Sequence, residues 1–239
     1  MIGAGPVAQR TPRVRVLVSA RDEHEACAAA LAGADLIDLK DPAAGALGGL
    51  PVARLRTVLA ALHEARAVQP VSATIGDIAP TRQDEIFERV AAVADTGVDL
   101  VKVGIVPAPG APALLHALAR CGASVVPVLL VDDGLAFDLV EAALGLDAFP
   151  AVMLDLAGKR RGSLLQRLPF EHVARYIALA KASGTLCGVA GALMLDDVAA
   201  LRKLQPDFAG FRSAVCIGDR ASQLEPARVR ELRARLAAD

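Results

Sequence analysis

Val14-Arg15-Val16-Leu17-Val18-Ser19-Ala20-Arg21-Asp22-Glu23 opens the patterned part of the chain: a β-branched run, a short polar turn, and then an Ala-rich helical segment at 22–32. A strand feeding directly into a helix begins either an open, doubly wound sheet or a closed barrel. The open sheet usually carries a glycine-rich fingerprint straight after its first strand, and Ser19-Ala20-Arg21-Asp22-Glu23 holds no glycine. Working outward, the same unit recurs along the chain. Strand-like runs stand at 14–19, 36–40, 71–75, 100–105, 124–130, 151–156, 186–190 and 208–211. Helical, Ala/Leu-rich segments with charges on one face follow them at 22–32, 52–65, 82–96, 112–120, 135–144, 170–183, 195–204 and 226–238. Eight strand signals followed by eight helix signals, at roughly thirty-residue spacing, predict an α/β fold of the closed (β/α)8, or TIM-barrel, class. Residues 14–239 are read as one such domain, preceded by a loose tail over 1–13 that holds Gly, Pro and charge without periodicity.

The composition agrees with one barrel and narrows the partners. A chain of 239 residues sits near the length of about 250 typical of this class, and 54% hydrophobic residues suffice to fill both a barrel interior and the layer under the helices. The formal net charge of −1 and the lack of a Lys/Arg stripe with interleaved aromatics argue against nucleic acid as a partner. The most apolar stretches, such as 121–131, are too short to span a bilayer, Pro127 interrupts that one, and the N-terminus lacks an apolar signal core. No membrane association and a cytoplasmic location are therefore expected. Cys27, Cys121, Cys187 and Cys216 form no CxxC pair and have no histidines at metal spacing, so neither disulfides nor a metal site is expected. Self-association into a homo-oligomer is left open by the sequence.

Arg outnumbers Lys by 21 to 5, so each lysine is informative: Arg neither loses its proton at physiological pH nor forms an imine, whereas Lys does both. In a closed barrel the active groups sit at the C-terminal ends of the strands. Lys40 ends strand two, Lys102 lies in strand four and Lys159 follows strand six, while Lys181 and Lys203 fall on helices. Strand side chains alternate between faces. Asp38 and Lys40 therefore share one face with Ile37 and Leu39 on the other, Lys102 points inward between Val101 and Val103, and Asp155 points inward between Leu154 and Leu156. Polar groups from strands two, four and six then meet near the axis. A lysine amine titrates near pH 10.4 when free, and both desolvation and a neighbouring ammonium push that value down, toward a neutral amine able to attack a carbonyl. The plainer reading is a set of buried Lys–Asp ion pairs filling one barrel end.

Loops after strands seven and eight are the usual phosphate site of this fold. Here they read Gly188-Val-Ala-Gly191-Ala192 and Gly210-Phe-Arg212-Ser213-Ala214, so Gly191, Ala192, Arg212 and Ser213 are candidate phosphate ligands, with Arg220 further along. Arg21 after strand one is a further candidate, and Ser19, Thr74 and Asp77 are candidates for substrate hydroxyls. The four histidines, His24, His63, His116 and His172, all fall in helical segments and are read as surface or packing residues.

Val18-Ser-Ala-Arg21, Gly33-Ala-Asp-Leu-Ile-Asp38-Leu-Lys40-Asp-Pro-Ala-Ala-Gly45-Ala-Leu-Gly48, Lys102-Val-Gly, Asp155-x-x-x-Lys159 and Gly210-Phe-Arg212-Ser-Ala together resemble the (5-formylfuran-3-yl)methyl phosphate synthase family of methanofuran biosynthesis, which also occurs in methylotrophic one-carbon metabolism. The likeness runs from strand one to strand eight. It implies a lyase that joins two molecules of glyceraldehyde 3-phosphate into 4-(hydroxymethyl)-2-furancarboxaldehyde phosphate with loss of phosphate and water, and implies no metal or organic cofactor. By motif, Lys40 corresponds to the Schiff-base lysine and Lys102 to the proton acceptor, with Asp38, Asp155 and Lys159 assisting. The tail before Val14 is longer than the family usually has. The residues by themselves stop short of the furan product: another Schiff-base aldolase or isomerase acting on sugar phosphates, and a non-catalytic metabolite-binding barrel, fit the same pattern.

Overall fold

In the computed structural model, which describes residues 13–158 and 162–237, the strands close into a barrel in sequence order. They are β1 (Arg15–Ala20), β2 (Leu36–Leu39), β3 (Val71–Thr74), β4 (Leu100–Ile105), β5 (Val125–Leu130), β6 (Ala151–Asp155), β7 (Leu186–Val189) and β8 (Phe208–Phe211). Every neighbouring pair is parallel, including the closing pair β1 and β8. The helices are α1 (Glu23–Leu31), α2 (Val52–Glu64), α3 (Gln83–Ala94), α4 (Ala111–Leu118), α5 (Phe137–Gly145), α6 (Leu164–Arg167), α7 (Phe170–Ser183), α8 (Val198–Leu204) and α9 (Pro226–Ala237). The fold class expected from the repeat is the one found.

Two local differences have physical causes. The four-residue α6, which the helical periodicity does not separate from the loop before α7, is set by a reciprocal cap: Ser163 N–H donates to Gln166 Oε1 at 3.0 Å, while the Ser163 side chain accepts from the backbone of that first turn. The helix expected at 195–204 opens as a 3-10 turn, Leu195–Asp197, before α8. All four histidines lie on helices as expected, on α1, α2, α4 and α7, and all are exposed. Of the expected tail, only Arg13 falls within the described residues, and its Nη1 donates to Asp35 Oδ2 at 2.9 Å. Among the described residues no helix is long and apolar enough to cross a membrane.

The alternation of side chains divides the apolar residues into two cores. Val16, Val18, Ile37, Leu39, Val101, Val103, Leu154 and Leu156 are buried between the sheet and the helices. Leu17, Leu36, Val126, Val128, Ala151, Met153 and Phe208 form a separate cluster inside the barrel. Stepping two residues up β2, β4 and β6 from Leu36, Leu100 and Met153 brings Asp38, Lys102 and Asp155 above that plug, on the inward parity. The plug thus seals the barrel from below and leaves the polar residues at the C-terminal rim.

Phe208 fills the plug beside β7 because the residue in register with it is Gly188. A Cβ at position 188 would stand 2.2 Å from Phe208 Cε2. Gly188→Ala is therefore expected to cost about 1–3 kcal/mol through overpacking, and Gly188→Ala with Phe208→Leu should recover most of it. Denaturant unfolding of both variants checks this. A single mutant as stable as the wild type would show that the plug yields freely at this point.

Candidate active site

Asp38 is the centre of the rim. It is 2% exposed, and its Oδ1 accepts from Ser72 Oγ at 2.6 Å and pairs with Lys102 Nζ at 2.9 Å. Its Oδ2 accepts from Ser19 Oγ at 3.4 Å and lies 4.0 Å from Lys40 Nζ. One carboxylate therefore borders both ammonium groups, which brings Lys40 and Lys102 into a single site as the strand parity predicts. Burial alone would raise the Asp38 carboxyl, but the Lys102 and Lys40 charges and the Ser72 hydrogen bond hold it below its ordinary value.

Lys40 stands one residue beyond the end of β2, although its backbone N–H still joins the ladder by donating to Ala20 O at 3.1 Å. Its ammonium is buried and donates to Ala46 O at 3.2 Å. Burial pushes the amine below its ordinary value, against the opposing pull of Asp155 and Asp38, and the charges of Lys102 and Arg220 push the same way as burial. Asp155 moves in the opposite sense: burial raises its carboxyl despite the nearby Lys40, and its Oδ1 accepts from Leu156 N–H at 2.7 Å. Lys159 lies outside the described residues.

The loop after β2 forms the cover. Thr74 Oγ1 donates to Gly48 O at 2.9 Å, Asp41 N–H donates to the same carbonyl at 2.8 Å, and Arg220 Nη2 donates to Gly45 O at 2.9 Å. The backbone of Leu47 engages Asp77, and the Leu47 side chain is buried on the inner cluster, 2.7 Å from where a Cβ on Gly104 would stand. Gly45 adopts a φ of +112° against the Asp77 carboxylate, a combination open only to glycine. Thr74 and Asp77, candidates for substrate hydroxyls, are thus used to hold this loop, and Ser19 is used to hold Asp38.

The phosphate candidates separate into two groups. Gly191, Ala192, Arg212 and Ser213 all line the pocket that also contains Asp38, Lys40, Lys102, Asp155 and Arg220. The guanidinium of Arg212, however, is turned away into the protein. Its Nε donates to Arg220 O at 2.7 Å, its Nη1 to Ser19 O at 3.1 Å and to Glu25, and its Nη2 to Glu25 Oε1 at 3.1 Å and Ser222 O at 2.8 Å. That accounts for all five N–H donors of an arginine. Arg21 is partly exposed and lies 3.2 Å from the same Glu25 carboxylate, outside the pocket wall. Arg220, the further phosphate candidate, does face the pocket, whereas Glu25 and Ser72 are site residues that the sequence reading does not single out. Ser72 was accessible through parity, since it shares the inward face of β3 with Thr74, whereas nothing local marks Glu25 as the buried partner of a loop near the other end of the chain.

The comparisons with known proteins converge on one family. The 4-HFC-P synthase family matches residues 16–233. A provisionally named (5-formylfuran-3-yl)methyl phosphate synthase of Methylorubrum extorquens is 39% identical over 91% of this chain and 89% of its own. The (5-formylfuran-3-yl)methyl phosphate synthase of Methanosarcina mazei is 30% identical over 92% of this chain and 97% of its own. Among solved structures, phosphoribosyl anthranilate isomerase of Thermus thermophilus superposes with a TM-score of 0.63 at 17% identity, over 94% of this chain and 98% of its own, a likeness of fold alone. A family match spanning nearly the whole barrel, with relatives 30–39% identical over nine-tenths of the chain, makes this chain an enzyme belonging to the (5-formylfuran-3-yl)methyl phosphate synthase family.

Proposed function

We propose that the enzyme joins two molecules of glyceraldehyde 3-phosphate into 4-(hydroxymethyl)-2-furancarboxaldehyde phosphate, releasing phosphate and water, with Lys40 as the Schiff-base lysine, as a step in methanofuran-type cofactor synthesis. The observation that carries this reading is the state of Lys40: a buried amine whose pKa is lowered, beside a second ammonium and two carboxylates. Its neutral form attacks the aldehyde carbon, and the resulting carbinolamine loses water to give the imine. Asp155, with its carboxyl raised by burial, carries the proton that the departing hydroxyl requires. The protonated imine then acts as an electron sink that acidifies the adjacent carbon. Lys102 accepts that proton as the neutral amine, its own proton having passed to the Asp38 carboxylate 2.9 Å away. The enamine so formed either attacks the aldehyde of the second triose or expels phosphate from the carbon next along, and water finally releases Lys40. By family likeness Lys159 assists these transfers. The pocket wall at Gly191, Ala192, Arg212 and Ser213 offers backbone rather than the Arg212 guanidinium to a phosphate.

Borohydride added with glyceraldehyde 3-phosphate is expected to leave a stable adduct on the peptide containing Lys40. Lys40→Arg keeps the charge but has no amine that forms an imine, and should give no adduct. Lys102→Ala should still be trapped while turnover falls by about 10²–10⁴-fold, the usual loss on removing a general acid or base. An adduct found on Lys102 instead would exchange the two roles, and furan product formed without any lysine adduct would refute the imine.

A second expectation concerns pH. The trapping rate should rise as Lys40 loses its proton, with a midpoint below that of an ordinary lysine because burial lowers its pKa. The Asp155 charge opposes that shift, so Asp155→Asn should move the midpoint further down in pH, even as the rate itself drops. A midpoint that moved up, or stayed in place, would show that Asp155 does not sense Lys40.

A further inference from the structure

Two arginines belong to the segment after β8, and they are used in opposite ways. Arg212 is 7% exposed and Glu25 is 1% exposed, and their paired charges neutralise each other inside the protein. The guanidinium of Arg212 also grips two carbonyls of its own segment, Arg220 O and Ser222 O. The neck of this segment is closed by a bridge between Cys216 and Leu224 and by Ile217 N–H donating to Gln223 O at 3.0 Å. Its turn is held by Asp219 Oδ1, which accepts from Ala221 N–H at 2.9 Å and from Ser222 N–H and Oγ at 3.0 Å. The carboxylate of Asp219 is thereby occupied within the turn, and the backbone on either side of Arg220 is fixed.

Arg220 is the residue this framework presents to the pocket. It lines the wall shared with Lys40, and among the described residues its guanidinium makes one hydrogen bond, from Nη2 to Gly45 O. The next carbonyl along, Ala46 O, is the one that accepts from Lys40 Nζ. Arg220 and Lys40 therefore hang on consecutive carbonyls of one loop, whose α-carbons are about 3.8 Å apart. Among the described residues Asp38 and Asp155 offset the charges of Lys40 and Lys102, and Arg220, which has no ion pair within the pocket and only the nearby Asp77 charge to temper it, adds a further cation for a phosphate dianion entering the pocket. A guanidinium also offers the planar fork that matches phosphate oxygens.

We propose that Arg220 binds the phosphate monoester of the substrate while its aldehyde meets Lys40, a role resting on the reading of Lys40 as the imine-forming residue. Arg212 and Glu25 hold Arg220 in place and do not touch the ligand. The test compares Lys40 trapping by glyceraldehyde 3-phosphate with trapping by glyceraldehyde, which lacks the phosphate. In the wild type the phosphorylated aldehyde should half-saturate trapping at much lower concentration. Arg220→Gln should cut that preference for the phosphorylated aldehyde by about tenfold or more, the value of a lost charge-assisted hydrogen bond, and Arg220→Lys should partly restore it; the ratio of the two aldehydes cancels the change at Lys40 that loss of the Arg220 charge brings to both. An Arg220→Gln variant that kept the wild-type preference for the phosphorylated aldehyde would overturn the assignment. Inorganic phosphate separates this from the imine reading: it should raise the Tm of the wild type and not of Arg220→Gln. If the wild type gave no lysine adduct while that difference in Tm persisted, the imine would fall and the phosphate role of Arg220 would stand; equal stabilisation of both proteins would remove Arg220 instead.

Discussion

The buried carboxylate of Asp38 is the constraint around which the rim is arranged. Withdrawing one carboxylate from water carries a penalty of several kcal/mol, returned only when its partners are close and its lone pairs are filled. Lys102 at 2.9 Å and Ser72 at 2.6 Å meet that requirement on one oxygen, and Ser19 and Lys40 attend the other. These contacts leave Lys102 held by a full ion pair and Lys40 only at its edge. The asymmetry follows from position: Lys102 lies within β4, in register with the strands beside it, whereas Lys40 sits just past the end of β2 and reaches back toward the axis. Two lysines near one carboxylate are thereby given different environments without any difference in chemistry.

Charge balance then links Lys40 to Asp155. Burial lowers the one and raises the other, so moving a proton from the Lys40 ammonium to the Asp155 carboxylate leaves the total charge of the rim unchanged. The exchange replaces two buried charges with two neutral groups, and the Asp38–Lys102 pair stays intact. The neutral form of this pair is a free amine and a carboxylic acid, the combination that the proposed imine route requires to form and dehydrate a carbinolamine.

The barrel and the inward residues were legible because both depend on local periodicity. Alternation alone put Asp38, Lys102 and Asp155 on the axis and Ile37, Leu39, Val101, Val103, Leu154 and Leu156 against the helices, and the two cores divide along that line. Arg212 marks where such reasoning ends. Position after β8 identifies a residue that can face a phosphate, but the direction of its side chain depends on Glu25, 187 residues earlier, for which the local pattern has no signal. Asp77 and Thr74 illustrate the same limit from the other side. Their place at strand ends suggests substrate contact, yet their polar atoms are taken up by the cover loop.

That cover loop shows why the motif from Asp38 to Gly48 is so restrictive. Lys40 supplies the amine, Ala46 O receives it, Leu47 caps the apolar plug, and Gly48 O ties the loop to β3 through Thr74. A Cβ on Gly48 would stand 2.3 Å from Asp41 O, and a Cβ on Gly49 would stand 2.8 Å from Ile75 O, both of them backbone contacts that have little room to yield. The glycines let the chain fold tightly enough over Lys40 to remove it from water, and that removal lowers its pKa. The spacing between the lysine and the glycines is therefore a condition on the state of the Lys40 amine: lengthening or stiffening the loop would return the amine to solvent and to its charged form, with every other side chain of the rim still in place.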